Sequence, residues 1–174
     1  MNDTTITYLS HYDSIIGRMT MTSDGEALTG LWFDGQKNIV PTSTESCETK
    51  EQLPVFIQTR KWLDIYFSGK APSFTPPLHI HGSEFRKQVW EILLTIPFGQ
   101  TMSYGEIAKL MARRKGTNKM SAQAVGGAVG HNPISLIIPC HRVIGTKGQL
   151  TGYAGGIDRK QWLLRNETAP YMVI

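Results

Sequence analysis

The sequence predicts an α+β protein with two domains, the first a small antiparallel sheet with one helix and the second mainly helical. Three observations support this fold class. Apolar and polar residues alternate over residues 5–34, prolines cluster at residues 72–77, and apolar residues recur at helical spacing after Ser83. A chain of 174 residues is long enough for two small cores. We place the domains at residues 1–78 and 79–174.

The first domain is predicted to begin as a β-meander. The segments with strand character are Thr5–Leu9, Ile15–Thr22 and Ala27–Phe33, with turn signals at Asp24-Gly25 and Asp34-Gly35. Residues 36–52 are polar and predict a loop. Residues 53–67 have apolar positions at helical spacing and are followed by Gly69, which predicts a helix.

The motif His79-Ile80-His81 lies close to the predicted domain boundary and allows two interpretations. Alternate residues of a strand share one face, so the two histidines could form a metal pair. The neighbouring sequence offers no acidic or cysteine partner, which favours a surface β segment. We predict no metal site.

The second domain is predicted to open with three helices. Apolar residues from Phe85 onward form a stripe that Pro97-Phe98-Gly99 ends. Ser103 and Glu106 have the spacing of a capping box at the start of the next helix. That helix runs into a predicted basic loop containing Arg113, Arg114 and Lys119, and a short helix follows over residues 121–130.

The short helix is unusual because it holds Gly126 and Gly127 in its middle. Each mid-helix glycine costs about 0.5–1 kcal/mol relative to alanine. Small side chains allow close approach, either to a neighbouring helix or to a nucleic-acid groove. A helix, a basic turn and a small-residue helix have the outline of a helix-turn-helix, and the basic loop favours groove binding over a purely packed core helix.

Cys140 and His141 lie between two apolar runs, residues 134–138 and 143–144, which predict a short active-site strand. A thiol attacks only as thiolate, so a catalytic cysteine needs a base or a positive environment, which His141 and Arg142 could supply. Neighbouring side chains of a strand point to opposite sides, so His141 reaches the sulfur only through a turn or a water. Pro139 favours a turn. The alternative, a buried structural cysteine, stays open on spacing alone.

Charge is divided unequally along the chain. Residues 1–83 hold six basic and nine acidic side chains, whereas residues 84–174 hold twelve and five. The half that carries Cys140 is therefore basic, which favours a polyanionic partner such as nucleic acid.

No apolar run approaches the ~20 residues that span a bilayer, and the polar start of the chain is not a signal peptide. We expect a cytoplasmic protein without a membrane partner. Cys47 lies in a polar stretch, and a disulfide with Cys140 is improbable in a reducing compartment.

The end of the chain combines a glycine-rich loop with a last helix. Residues 151–156 include three glycines and predict the edge of a pocket, although such a loop can also be merely flexible. Asp158 is predicted as the N-cap of the final helix, which leaves Glu167 near the helix end.

Several of these motifs together resemble the O6-alkylguanine-DNA alkyltransferase family, also called methylated-DNA–protein-cysteine methyltransferases. The segments that carry the resemblance are Ile138-Pro139-Cys140-His141-Arg142-Val143, Ala124-Val125-Gly126-Gly127-Ala128, Asn132-Pro133, Gly152-Tyr153-Ala154-Gly155-Gly156, Trp162-Leu163-Leu164, Ile96-Pro97-Phe98-Gly99 and Ser103-Tyr104. They cover residues 82–168, whereas the first domain matches only in general pattern. The resemblance implies a ribonuclease H-like first domain and DNA repair by transfer of an alkyl group from O6 of guanine to Cys140.

The resemblance also implies catalytic roles. Cys140 is expected to be the nucleophile, His141 to take its proton through a water, and Glu167 to orient His141. Asn132 is expected to brace the turn between the reading helix and the active-site strand. Tyr104 is expected to donate a proton or hydrogen bond to the departing guanine and to help rotate the base out of the duplex.

The implied partner is double-stranded DNA containing O6-alkylguanine, bound through its minor groove by a monomer with the damaged base flipped into a pocket. Residues expected to contact substrate or DNA are Gln123, Ala124, Gly126, Gly127, Arg142, Tyr153, Ala154, Arg113, Arg114 and Lys119. Two positions depart from the family pattern. Gln123 stands where an arginine is common and Ala154 where a serine is frequent.

The chemistry agrees with this composition. Displacement of guanine from a saturated carbon needs a soft nucleophile and protonation of the leaving base, and it needs no cofactor. The thioether product lacks a carbonyl that water could attack, so each molecule should act once. Two other classes remain open: a thiol hydrolase using Cys140 and His141, and a lesion-sensing DNA-binding module with an inert cysteine.

Overall fold

The structure, a computed structural model, describes residues 6–39 and 47–172. The chain forms two compact units, Met1–His81 and Gly82–Ile174. The first unit holds a sheet and one helix and the second is mainly helical, so the predicted α+β class is confirmed. The division falls close to the predicted domain boundary after residue 78.

The first unit contains a four-stranded sheet in the order β3-β2-β1-β4. Its strands are β1 (Thr7–Ser14), β2 (Gly17–Ser23), β3 (Leu28–Phe33) and β4 (Cys47–Thr49). The first three pair antiparallel, as the meander requires, and β4 lies parallel to β1.

Two details of this sheet differ from the prediction. The first strand extends to Ser14, so Ile15 lies in the hairpin turn, where it is 79% exposed. Gly17 closes the turn at φ 131°, a conformation that glycine adopts readily. The loop predicted over residues 36–52 contains β4, because Cys47–Thr49 pairs with the edge of β1. Residues 40–46 of that loop lie outside the described part of the chain.

Helix α1 (Pro54–Phe67) agrees with the helix predicted over residues 53–67, and it packs against β1 and β2. Proline at its first position loses no hydrogen bond, and Gly69 follows its end at φ 88°. Its buried side chains include Phe56 and Leu63, both fully buried. Each such side chain contributes about 1.5–3 kcal/mol relative to remaining exposed.

The second unit contains α2 (Glu84–Leu93), α3 (Tyr104–Lys115), α4 (Ala122–Gly130) and α5 (Ile157–Asn166). Two short strands, β5 (Met102–Ser103) and β6 (Val143–Ile144), pair in parallel. Helices α2, α3 and α4 pack together, and the Trp90 indole on α2 donates to the Ala128 carbonyl on α4 at 2.8 Å. Helices α3 and α4, joined by residues 116–121, have the predicted helix-turn-helix outline.

Serine side chains begin three of these helices. Ser83, Ser103 and Ser121 each accept a backbone N–H of the first turn. The predicted capping box is confirmed, because Glu106 also accepts the Ser103 N–H at 2.9 Å.

Three helix boundaries differ from those predicted. Helix α2 ends at Leu93, before the Pro97 segment. Arg113 and Arg114 lie in the last turn of α3 rather than in a loop, where positive charge complements the helix dipole. Helix α5 begins at Ile157, so Asp158 lies in its first turn and Gly156 is the N-cap.

The apolar run before Cys140 is not a strand, which corrects the prediction of an active-site strand there. Residues 134–138 form consecutive turns, with Leu136 at φ 71° and the Ile138 N–H bonded to the Ile134 carbonyl. All five residues are buried and all but Ser135 are apolar, and a short buried turn has the same composition as a short buried strand. The strand β6 follows the cysteine instead.

Across the described residues, the helices are too short or too polar to serve as membrane spans.

Candidate active site

Cys140 opens a single 3₁₀ turn, Cys140–Arg142. The turn begins after Pro139, and the Arg142 N–H bonds to the Pro139 carbonyl at 3.0 Å. The turn that the proline favoured is therefore present, and it places Cys140 and His141 in one tight bend. Cys140 is buried, with 6% of its surface exposed.

The environment of Cys140 favours the neutral thiol in the resting protein. Burial raises the pKa of Cys140 above its ordinary value of 9.0, although Asn132, Lys160 and backbone N–H groups act in the opposite direction. At neutral pH the sulfur therefore keeps its proton. Attack requires a base that removes this proton during the reaction.

His141 is held by Glu167 in the interior of the second unit. The two side chains are fully buried, and His141 Nε2 lies 2.5 Å from Glu167 Oε2. Burial lowers the pKa of His141, against the influence of Glu167. An ionised carboxylate only accepts hydrogen bonds, so Nε2 is the donor and Nδ1 is the basic nitrogen of the ring. The ring can therefore accept a proton.

Glu167 receives hydrogen bonds from three directions. Besides His141 at Oε2, the Gly99 backbone N–H at 2.9 Å and Arg142 Nε at 2.8 Å bond to Oε1. Burial alone would raise the pKa of Glu167, but the bonds from His141 and Arg142 outweigh burial and lower it to about 2. Glu167 is therefore an anion with a fixed orientation.

Arg142 lies inside the molecule, which corrects the predicted contact with DNA. Only 8% of the surface of Arg142 is exposed to solvent. Besides its bond to Glu167, one guanidinium nitrogen donates to the Ile96 carbonyl at 2.6 Å, and the Phe98 ring lies 5.9 Å from the guanidinium carbon. This position favours a role within the site.

Asn132 ties together the two sides of the turn before Cys140. Its amide nitrogen donates to the Ile138 carbonyl at 2.7 Å, and its amide oxygen accepts the Ile134 N–H at 3.0 Å. The side chain is 5% exposed. It spans the segment that joins α4 to the cysteine, which is the geometry that the expected brace requires.

Tyr104 is the first residue of α3, and burial raises the pKa of its phenol, with Cys140 adding to the effect. The Thr151 hydroxyl lies 3.5 Å from the Tyr104 oxygen. Thr151 in turn accepts a hydrogen bond from Lys160 Nζ at 3.2 Å. In this chain Thr151 donates to Tyr104, so the phenolic proton points elsewhere and is available to a ligand.

Lys160 is a residue that the sequence analysis missed. It is fully buried, and its ammonium donates to the Val143 carbonyl at 2.5 Å and, more weakly, to the Gly152 carbonyl at 3.4 Å. Burial lowers its pKa to about 8, against the influence of Cys140. Residues 160, 163, 164 and 167 share one face of α5, so helical periodicity from Leu163 and Leu164 could have placed this lysine inside.

The small-residue helix α4 turns its smooth surface outward. Gln123, Ala124 and Gly127 are exposed, and Gly126 is half-buried. Among the described residues, a Cβ atom added at Gly126 or Gly127 would meet no atom within 4 Å apart from its chain neighbours and the backbone of its own helix. Packing within the protein therefore does not account for these glycines.

The remaining predicted contact residues differ in their exposure to solvent. Arg113, Arg114 and Lys119 are exposed, and Arg114 pairs with Glu91 at 3.1 Å. Tyr153 and Ala154 are half-buried, and burial together with Cys140 raises the pKa of Tyr153. Within residues 6–39 and 47–172 no three histidine, cysteine or acidic side chains come together as metal ligands would.

The second unit thus defines a class of protein in which a helix-turn-helix stands beside a buried thiol that has its own base. Comparison with known proteins gives the family. Residues 84–169 match the family described as 6-O-methylguanine DNA methyltransferase, DNA binding domain. Residues 7–80 match its ribonuclease-like domain.

Individual relatives agree with this match. A methylated-DNA–protein-cysteine methyltransferase of Mycolicibacterium paratuberculosis is 44% identical over 89% of this chain and 88% of its own. A methylated-DNA–protein-cysteine methyltransferase of Haemophilus influenzae is 37% identical over 97% of this chain and 90% of its own. A crystal structure of Mycobacterium tuberculosis OGT in complex with DNA is similar with a TM-score of 0.79 and 42% identity, over 94% and 95% of the two chains. The chain belongs to the 6-O-methylguanine DNA methyltransferase family.

Proposed function

We propose that this protein repairs DNA by moving an alkyl group, typically methyl, from O6 of guanine to the sulfur of Cys140, once per molecule. The single observation that carries the proposal is the buried Cys140 in one turn with His141, whose imidazole is oriented by Glu167 and kept neutral by burial. Membership of the family supports it. The corresponding activity is that of a methylated-DNA–protein-cysteine S-methyltransferase.

The proposed step moves one alkyl group and one proton. His141 Nδ1 takes the proton of the Cys140 thiol through a water, and the thiolate attacks the saturated carbon in line with the C–O6 bond. The S–C bond forms as the C–O6 bond breaks, and the departing guanine takes up one proton. The Tyr104 hydroxyl donates a hydrogen bond or this proton to the guanine, and a donated proton is replaced through solvent by the one that His141 took from Cys140. The raised pKa of Cys140 supports proton removal during the reaction rather than before it.

The product explains why we propose a single turnover. A thioether at Cys140 has no carbonyl for water to attack, and within the described residues the site holds no group that would remove the alkyl chain. No cofactor enters the step, because the thiol supplies the nucleophile and its own proton balances the departing guanine.

The DNA is proposed to approach α4 along its exposed small residues, with Gln123 and Ala124 at the start of that helix. The open space at Gly126 and Gly127 supports this, since a partner backbone can come closer to glycine than to any other residue. Arg113 and Lys119 supply exposed positive charge beside it. The proposal includes approach through the minor groove, which a competing minor-groove ligand such as netropsin would test.

We further propose that the protein acts as a cytoplasmic monomer and that residues 1–78 and 79–174 are separate domains, with transfer performed by the second. All the residues assigned to the reaction lie in that part of the chain. Tyr153 and Ala154 are proposed to line the pocket for the flipped base, because they lie in the loop that Lys160 holds near Val143.

Intact mass measurement tests the proposal directly. The protein is incubated with a duplex oligonucleotide containing O6-methylguanine, and we expect a gain of one methyl group that peptide mapping assigns to Cys140. Cys140→Ser should gain none, whereas the matched control Cys47→Ser should behave as the wild type. A second dose of DNA should add nothing.

The same measurement separates the two rival functions. A thiol hydrolase would turn over repeatedly on an ester or amide and return to its original mass. A lesion-sensing module would bind the oligonucleotide with no change in mass, and its affinity for DNA would survive Cys140→Ala. Either result would contradict the proposed transfer.

A further inference from the structure

The geometry points to Arg142 as a positioning residue that compensates the charge of Glu167, so that Glu167 can orient His141 without charging it. This inference rests on the proposed function, in which His141 must be neutral to take the thiol proton. It assigns Arg142 a role inside the site in place of the DNA contact that the sequence predicted.

The contacts of Glu167 divide between its two oxygens. Oε2 faces His141, and Oε1 accepts Arg142 Nε and the Gly99 N–H. Arg142 is therefore on the side of the carboxylate away from the imidazole. It neutralises the anion without competing for the oxygen that orients His141.

The segment 96–99 holds both Arg142 and Glu167 in place. Its Ile96 carbonyl accepts Arg142, its Gly99 N–H donates to Glu167, and the Phe98 ring lies near the guanidinium. The guanidinium is thus bonded at two ends and cannot swing outward to a phosphate without breaking both bonds. A lysine could supply the charge but not the two-ended geometry.

The charge balance follows from burial. His141 and Glu167 are fully inaccessible to solvent, so an uncompensated carboxylate there would draw a proton onto the imidazole. A protonated His141 cannot act as a base. With Arg142 present the carboxylate and guanidinium form a net neutral pair, and burial then keeps the imidazole neutral.

The other groups around His141 do not replace Arg142. Lys160 on α5 also disfavours the charged imidazole, but its ammonium bonds to the Val143 carbonyl and Thr151 rather than to Glu167. Cys140 in the same turn is neutral at rest, and so are the Tyr104 and Tyr153 phenols, whose pKa values are raised. Arg142 and His141 are the two ionisable side chains whose bonds to the carboxylate build the site described above.

NMR titration of the His141 imidazole tests the inference without using any substrate. In Arg142→Gln the signal should titrate at least about one pH unit higher than in the wild type, the shift expected when an interior cation is lost. Arg142→Lys keeps the cation and should shift less. An unchanged titration in folded Arg142→Gln would overturn the inference.

A second comparison covers the case in which Arg142→Gln does not fold. Glu167→Gln and the double variant Arg142→Met/Glu167→Gln both lack the buried carboxylate, so neither leaves an unpaired anion. The His141 imidazole should titrate lower in Glu167→Gln, which retains the cation, than in the double variant. Equal titration in the two would overturn the inference.

Duplex binding separates the inferred role from a DNA contact. Arg142→Gln should bind undamaged duplex as the wild type does, whereas the exposed control Arg113→Gln should bind more weakly and leave the His141 titration unchanged. Weakened binding in Arg142→Gln without a titration shift would restore the DNA contact instead. Failure of the wild type to gain a methyl group would contradict the proposed function but not this charge balance.

Discussion

Two histidine–carboxylate pairs in this protein have the same separation and opposite properties. In the first unit His79 Nδ1 lies 2.5 Å from Asp24 Oδ2, and in the second His141 Nε2 lies 2.5 Å from Glu167 Oε2. The His79 side chain is 48% exposed and that of His141 is 0% exposed. Asp24 raises the pKa of His79, whereas burial lowers the pKa of His141. A close carboxylate alone therefore does not decide whether a histidine is charged.

The difference lies in what surrounds each pair. The exposed pair has water to solvate an imidazolium, and its role is local: the Leu28 carbonyl and Asp24 together hold residue 79 against the turn before β3. The buried pair is shielded from bulk solvent, and Arg142 bonds to its carboxylate. His141 is thus a neutral base, while His79 favours the charged form.

The largest expected contrast is in the rate of alkyl transfer. His141→Gln removes the base and should slow methyl uptake from O6-methylguanine DNA by about 10²–10⁴-fold, the usual contribution of general base catalysis. His79→Gln, the matched control, should leave the rate unchanged. Single-turnover mass measurements would check both, and an unaffected His141→Gln would remove the base from the mechanism.

The next contrast is in stability. Glu167→Ala leaves His141 and Arg142 buried without their shared acceptor and should lower the free energy of unfolding by about 3–5 kcal/mol. Asp24→Ala breaks an exposed pair and a turn bond, and should cost about 1 kcal/mol or less. Urea denaturation of each variant would measure the difference. Equal losses would mean that burial does not distinguish the two pairs.

The smallest contrast is in pH dependence, where the two histidines act with opposite sign. The folded pKa of His141 is below its unfolded value near 6.5, so its contribution to stability falls as pH drops below 6.5. The pKa of Glu167 is lowered to about 2, so Glu167 adds to this loss as pH falls below its ordinary value of 4.5. The folded pKa of His79 is raised, so its contribution is present below pH 6.5 and is lost as pH rises through the folded value.

Denaturation curves measured from pH 3 to 8 would separate the contributions of these side chains to the free energy of unfolding. His141→Gln should flatten the loss that begins near pH 6.5, and His79→Gln should affect only the change on raising the pH. A loss with falling pH that survives in both His141→Gln and Glu167→Gln would assign the acid sensitivity to other groups.

Local signals in the sequence were sufficient for most of the fold. Alternation located the β-meander, and the spacing of Ser103 and Glu106 located the start of α3, because both patterns depend only on near neighbours along the chain. The predicted start of α5 was wrong by two residues, since Gly156 rather than Asp158 is the N-cap.

The interior of the site was less predictable because it depends on contacts between distant residues. The apolar run before Cys140 predicted a strand and is a turn, since burial and extension give the same composition. Arg142 was expected to contact DNA on the strength of the family resemblance, and nothing near it in sequence reveals its bond to Glu167. Lys160 was overlooked for the same reason, although the face it shares with Leu163 was readable.

The empty space beside Gly126 and Gly127 means that the fold itself does not require either glycine. Alanine would fit at both positions and would favour the helix by about 0.5–1 kcal/mol each. The protein is therefore less stable against unfolding than the same fold with alanine at these positions would be. The two destabilising glycines lie on the surface that is proposed to contact damaged DNA. A variant selected only for heat resistance would be expected to fill these positions first and to lose repair capacity in doing so.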